Sequence, residues 1–281
     1  MSSTVAPARA TGPRLEFGAL LRAEWTKLRS VRSTRWSLFA MIAISAGLAA
    51  LATGVYTGQW DTMSAADRQQ MIHDPIGLIL QPAASYGQVA ICVLGVMVVA
   101  SEYSTGMIRT SLLAVPTRTS LLAAKVAVFG SLVFLAAEAV AVPSFLLGQR
   151  MLSRHVQVSW TDPGVVRALV GFGLYMAVTG LFALGIGAVL RHVAGAITAA
   201  LAAVIVLPTV TSLLPGKLGD YVSTYLPGGE AGQSIMSSGH NSGVLLSPWA
   251  GFGVQCAWVL GLLVVTTVLL HRRDAAGASG G

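Results

Sequence analysis

Six apolar stretches dominate this chain, at 36–55, 76–100, 121–148, 168–190, 193–214 and 249–270, with polar segments between them. About twenty apolar residues in helical form cross the hydrocarbon core of a bilayer, so each stretch predicts a transmembrane helix. The expected fold class is all-α, a polytopic bundle of about six transmembrane helices over 36–270. Ahead of it, within 14–35, Phe17, Leu20, Leu21, Trp25, Leu28 and Val31 recur at helical spacing, with Arg22 and Arg29 opposite and Lys27 on a flank. A basic helix with a Leu/Trp face predicts an amphipathic element in the cytoplasmic membrane interface. Glu24 falls on the apolar face, where lipid disfavours it, so another protein surface is expected to meet it. Residues 1–13, rich in Ser, Ala and Pro, are expected to form a disordered tail, and 271–281 a short cytoplasmic one. The long polar stretch before the first apolar run speaks for a retained helix over a signal peptide.

Punctuation between the stretches refines the picture. Asp74-Pro75 supplies a helix cap and a first-turn proline, and Pro82 and Pro143 predict kinks in the second and third spans. Small residues recur every fourth position: Ala46, Ala50 and Gly54; Thr179, Ala183 and Gly187; Gly253, Ala257 and Gly261. Such stripes favour close helix contact in a bundle or an oligomer. The segment 215–248 is too long to be structureless in a compact protein. Short helices or a re-entrant element are expected there, shielding the outer end.

Composition agrees with lipid as the solvent. The 281 residues are 54% hydrophobic and 10% charged, with mean hydropathy +0.71, against about 25% charged in soluble domains. The net charge is +7, but the basic residues cluster beside the apolar runs, where they set orientation rather than bind nucleic acid. With the amino terminus inside, only Arg68, Arg150, Arg154, Arg167 and Lys217 lie outside, and the other thirteen of the 18 Lys and Arg lie inside. Both termini are therefore expected in the cytoplasm, with the plasma membrane between. Cys92 and Cys256 read as buried small hydrophobes, and the five scattered histidines lack metal-ligand spacing, so no metal is expected.

Candidate chemistry is confined to two places. The inner loop from Ser101 to Lys125 begins with Glu102 ending the second span and turns at Ser104, Thr105 and Gly106. It continues as a short amphipathic helix with Met107, Ile108, Leu112 and Leu113, and Pro116 stops it. Arg118 and Lys125 mark the next membrane entry. A short, partly apolar element at the cytoplasmic surface suits partner docking; the simpler alternative is a snorkelling connector. The second place is Glu138, in the middle of the third span. An ionised acid at bilayer depth costs about 2.5–3.5 kcal/mol on insertion scales, so it must face protein, water or a cation, or carry a proton. A cationic substrate, proton coupling and a plain hydrogen bond to a neighbouring helix are all open. No G-x-x-x-x-G-K-[ST] loop occurs, so nucleotide hydrolysis is not expected on this chain. Leu226-Pro227-Gly228-Gly229-Glu230 is similar to a signature of ABC ATPases, yet it falls in an expected outer loop and reads as coincidence.

Together these features resemble the permease subunits of type-2 ABC transporters, of the compact six-span actinobacterial kind. Glu24-Trp25-Thr26-Lys27-Leu28-Arg29 is similar to that family's amino-terminal connecting helix, and Glu102 through Gly106 and Arg109 to Pro116, Arg118 and Lys125 to its first cytoplasmic loop. Leu214-Pro215 and Tyr225-Leu226-Pro227 are similar to its extracellular re-entrant region. The resemblance implies an exporter of two permeases, alike or different, and two copies of a separate ATPase subunit. ATP and Mg would then sit on the partner, with no cofactor on this chain. It further implies that Glu24, Lys27, Glu102, Tyr103, Ser104, Thr105, Gly106 and Arg109 couple the permease to the ATPase. Competing expectations are a proton-coupled secondary transporter using Glu138, which usually carries an internal repeat that is not evident here, and a membrane scaffold without transport.

Overall fold

The computed structural model describes residues 17–30, 32–107, 118–215, 217–239 and 246–275. Among them there are helices and turns and no strand. Helix α1 (Phe17–Ser30) precedes α2 (Arg32–Gly58); a 3-10 turn and α3 (Ala65–His73) lead into α4 (Pro75–Ser104), and α5 spans Arg118–Leu152. Then come α6 (Val165–Leu190), α7 (Val193–Leu201), a π turn (Ala202–Val206) and α8 (Leu207–Ser212), the last three forming one continuous span. Helices α9 (Lys217–Tyr225) and α10 (Glu230–Gln233) and a 3-10 turn (Ser234–Met236) precede α11 (Pro248–Ala275). Six helices are long and apolar enough to cross a membrane. The all-α expectation holds because in lipid a helix satisfies its backbone groups within one segment. Helix α11 runs to Ala275, past the expected start of the tail at 271, while the expected tail at 1–13 lies outside the described residues.

Helices α4 and α6 form the centre, and α2, the α7–α8 span and α11 lie around them with most of their surface outward. Small residues set this arrangement. Gly95 of α4 faces the Gly180 carbonyl of α6 so closely that a Cβ built there would lie 2.5 Å from the oxygen. One turn on in α6, Ala183 is buried, and Gly187 abuts the backbone of Val96. The Thr179, Ala183 and Gly187 stripe is thus a packed one. On α2 the inward stripe is instead Met41, Ser45, Ala49 and Thr53, all buried, with the expected Ala46, Ala50 and Gly54 half-buried beside it. Gly253, Ala257 and Gly261 of α11 face outward, and among the described residues nothing stands within 4 Å of a Cβ built at Gly253 or Gly261. Tyr175 of α6 donates to Gln88 Oε1 of α4 at 3.0 Å, pairing two buried polar groups across the centre.

Both prolines expected to kink their spans lie inside continuous helices. The irregularity falls elsewhere, in the π turn just ahead of Pro208. Proline has no N–H and its ring clashes with the carbonyl one turn back, and a widened turn relieves that clash.

Segment 217–239 is a set of short helices, as the sequence predicts, and it dips into the bundle. Gly228, at φ +75°, brings the backbone against the Val204 carbonyl in the π turn, and Gly171 of α6 leaves room for the Ile235 carbonyl. Ala231, Ile235 and Met236 are buried as a result. Asp74 fastens the far end: Oδ1 accepts from the Gly77 amide at the head of α4 and from the Ser238 amide and hydroxyl at 2.8 and 2.9 Å. Arg167 donates to the Ser237 carbonyl at 2.8 Å. The Leu226–Glu230 stretch is therefore a turn packed on α7–α8 and α11, far from the end that carries α1.

Candidate functional site

At the opposite end from Asp74, α1 lies across α5 and the end of α4. The helix buries Leu20, Glu24 and Leu28, which fall on one face at every fourth position. The apolar surface expected of α1 therefore divides. Leu20 and Leu21 pack on Ala124 of α5, whereas Phe17 and Trp25 remain about half exposed and face away from the bundle. Val31 lies outside the described residues.

Glu24 meets a protein surface, as its place on an apolar face requires. The residue is only 2% exposed, and its Oε2 accepts from Lys125 Nζ of α5 at 2.7 Å. Lys125 Nζ also reaches Glu102 Oε1 of α4 at 2.8 Å. Lys27, one turn along α1, closes the group, 2.7 Å from Glu24 Oε1 and 3.4 Å from Glu102 Oε1. Two carboxylates and two ammonium groups thus join three helices in a neutral cluster, and only Lys27 has substantial solvent contact. Burying such charges is tolerable only when each is paired with good geometry. Burial by itself raises the Glu24 carboxyl, but Lys125 and Lys27 outweigh it and hold the group below the usual carboxylate range. Burial likewise lowers the Lys27 ammonium, yet Glu24 and Glu102 leave it above its ordinary value. Glu102 Oε2 is buried without a hydrogen-bond partner among the described residues.

Beyond the cluster the tip of α4 is exposed and caps itself. Ser104 and Thr105 donate their hydroxyls to the Ser101 carbonyl at 3.0 and 2.8 Å, and Gly106 turns the chain at φ +72°, with nothing among the described residues within 4 Å of a Cβ built there. The Tyr103 ring lies under the Arg191 guanidinium, 4.6 Å from centroid to Cζ. Arg191 is the residue that ends α6, itself in the left-handed region at φ 57°, so this cation–π contact ties α4 to α6. Of the residues expected to act together, Glu24, Lys27 and Glu102 meet directly, and Tyr103 to Gly106 continue from them. Arg109 and most of the expected amphipathic helix lie outside the described residues. The inner connection is also shorter than expected, because α4 runs to Ser104 and α5 starts at Arg118. Lys125 consequently stands two turns inside α5, not in a loop.

Two members of this region are not among the expected coupling residues: Lys125 reads in the sequence as a membrane-entry cation closing the loop stretch, and Arg191 only as one of the inner basic residues. A signal for Lys125 was present: two acids on buried faces, Glu24 and Glu102, demand two cations. Glu138 is not part of the cluster and lies farther along α5, beside Gly173 of α6. No group of three or more metal-ligating side chains occurs among the described residues. Comparison with protein-family models and with curated proteins finds no match for this chain.

Proposed function

We propose that this chain is the membrane-spanning subunit of an ATP-driven exporter in the plasma membrane, with α1 and both termini on the cytoplasmic side and ATP hydrolysed on a separate subunit. The observation that carries this is the ionic cluster. The amphipathic helix and the helix ends on either side of the loop that the type-2 ABC permease resemblance assigns to coupling are joined through Glu24, Lys27, Glu102 and Lys125. A force applied to α1 or to the exposed Ser104–Gly106 tip passes directly to α4 and α5, and through Tyr103 and Arg191 to α6. Of these, α4 and α6 form the centre of the bundle. A device of this kind suits a subunit driven from its cytoplasmic face. It does work only if ATP binds one global arrangement of the assembly better than another.

Two ATPase copies and a second permease, identical or a sister chain, would complete the assembly. Co-expression with candidate ABC ATPase subunits of the same organism, followed by affinity purification in mild detergent, tests the proposal. A stable complex should form, and Gly106→Pro at the exposed tip should lower its yield without changing the amount of chain in the membrane. Substrate flux that persists without any ATPase and collapses on Glu138→Gln would instead make the chain a proton-coupled transporter. Neither complex nor flux would leave a scaffold.

A further inference from the structure

Glu138 is the one acidic or basic residue in the central part of any of the six spans. Phe134 and Glu138, one turn apart on α5, lie side by side over Gly173 of α6. A Cβ built at 173 would come 2.9 Å from the Phe134 ring and would collide with Glu138 Oε1. The missing side chain at 173 is what makes room for both. Glu138 is partly exposed at the edge of the outward strip of Leu135, Val142 and Leu146, while its Oε1 is buried against the Gly173 backbone. Val166 and Val170 of α6 also face outward.

A carboxyl group, an aromatic ring and outward-facing apolar side chains therefore lie together along the α5–α6 seam. A positively charged ligand with an apolar body matches each part. Its ammonium forms a charge-assisted hydrogen bond with the carboxylate, the adjacent ring adds a cation–π contribution, and the body lies along Leu135, Val142 and Val170. The same ligand removes the cost of an unpaired ion at this depth. An uncharged ligand of equal length offers only the apolar contact. We propose that the outward face of the α5–α6 seam beside Gly173 binds an amphipathic organic amine arriving from the bilayer interior. This goes beyond the exporter proposal and does not depend on it, since binding is read without ATPase or flux.

The experiment uses the full chain in phosphatidylcholine nanodiscs, with tritiated dodecylamine as probe, dodecanol as the uncharged control and empty discs as background. Saturable binding of dodecylamine but not dodecanol is expected. Glu138→Gln should weaken it at least tenfold, while Glu138→Asp retains part. A second measurement needs no variant: the lipid-soluble reagent dicyclohexylcarbodiimide should label Glu138, and dodecylamine should protect it. Equal dodecylamine binding by the wild type and Glu138→Gln would overturn the proposal. So would labelling undiminished by the amine, which would leave a proton as the sole occupant of Glu138.

Discussion

Lys125 is 5% exposed and contacts two buried carboxylates, so its removal leaves uncompensated charge where water cannot reach. Breaking a buried ion pair from one side costs about 3–5 kcal/mol. Lys125→Met should therefore lower the thermal unfolding midpoint in detergent markedly and open α1 to protease at Arg22 and Arg29. Lys27→Met should do much less, because that side chain is 30% exposed and water can take over part of its role; equal losses would show that the cluster does not hold α1. The pH response follows from the shifted groups. Glu24, held below its ordinary value, stabilises docking above the usual carboxylate range, and that contribution vanishes as pH falls through its lowered pKa. Lys27, held above its ordinary value, contributes fully below 10.5 and is lost as pH rises through its raised value. Protease protection of α1 should thus stay flat around neutrality and fail in strong acid, and Glu24→Gln should remove most of the acid-dependent step.

At the scale of elements, two spans illustrate what a membrane sequence discloses about packing. On α6 the small-residue stripe faces inward; on α11 a stripe of the same spacing faces outward. Hydropathy cannot separate these cases, because lipid is as apolar as the core and both sides of a span carry similar residues. On α2 the decisive marks were Ser45 and Thr53, small polar residues that are buried at the packed face. The position of the helices was legible from length and apolarity alone, and Asp74-Pro75 fixed one start correctly. The π turn was not legible, since Pro208 sits within an unbroken apolar run. A matched pair of substitutions tests the packing. Gly95→Val forces a side chain against the Gly180 carbonyl and should cost about 1–3 kcal/mol or more by overpacking. Gly253→Val, in open space, should leave the thermal midpoint of detergent-solubilised chain unchanged.

Across the whole molecule, the described segments gather at two ends of the bundle. Segments expected on one side meet at one end: α1, the tip of α4, the start of α5 and Arg191. Those expected on the other side, namely Asp74, Arg167 and 217–239, meet at the opposite end. The candidate site was legible in part, through Glu24 as a misfit on an apolar face and Glu102 at a span terminus. Its cation was obscured because Lys125 resembles any snorkelling residue at a membrane entry. A reporter tag placed after Arg68 should be reached by impermeant label from outside intact cells, and one placed after Arg191 only after permeabilisation. Labelling after Arg191 but not after Arg68 in intact cells would reverse the proposed orientation.

The ionic cluster also bears on how the chain is assembled. Glu24 and Lys125 are 101 positions apart, so while the first two spans are being inserted Glu24 has only Lys27 of its own helix for company. Translation must deliver the third span before the second ammonium group arrives. The N-terminal helix therefore settles against the bundle late in biogenesis, as a latch that shuts once half the membrane domain is in place.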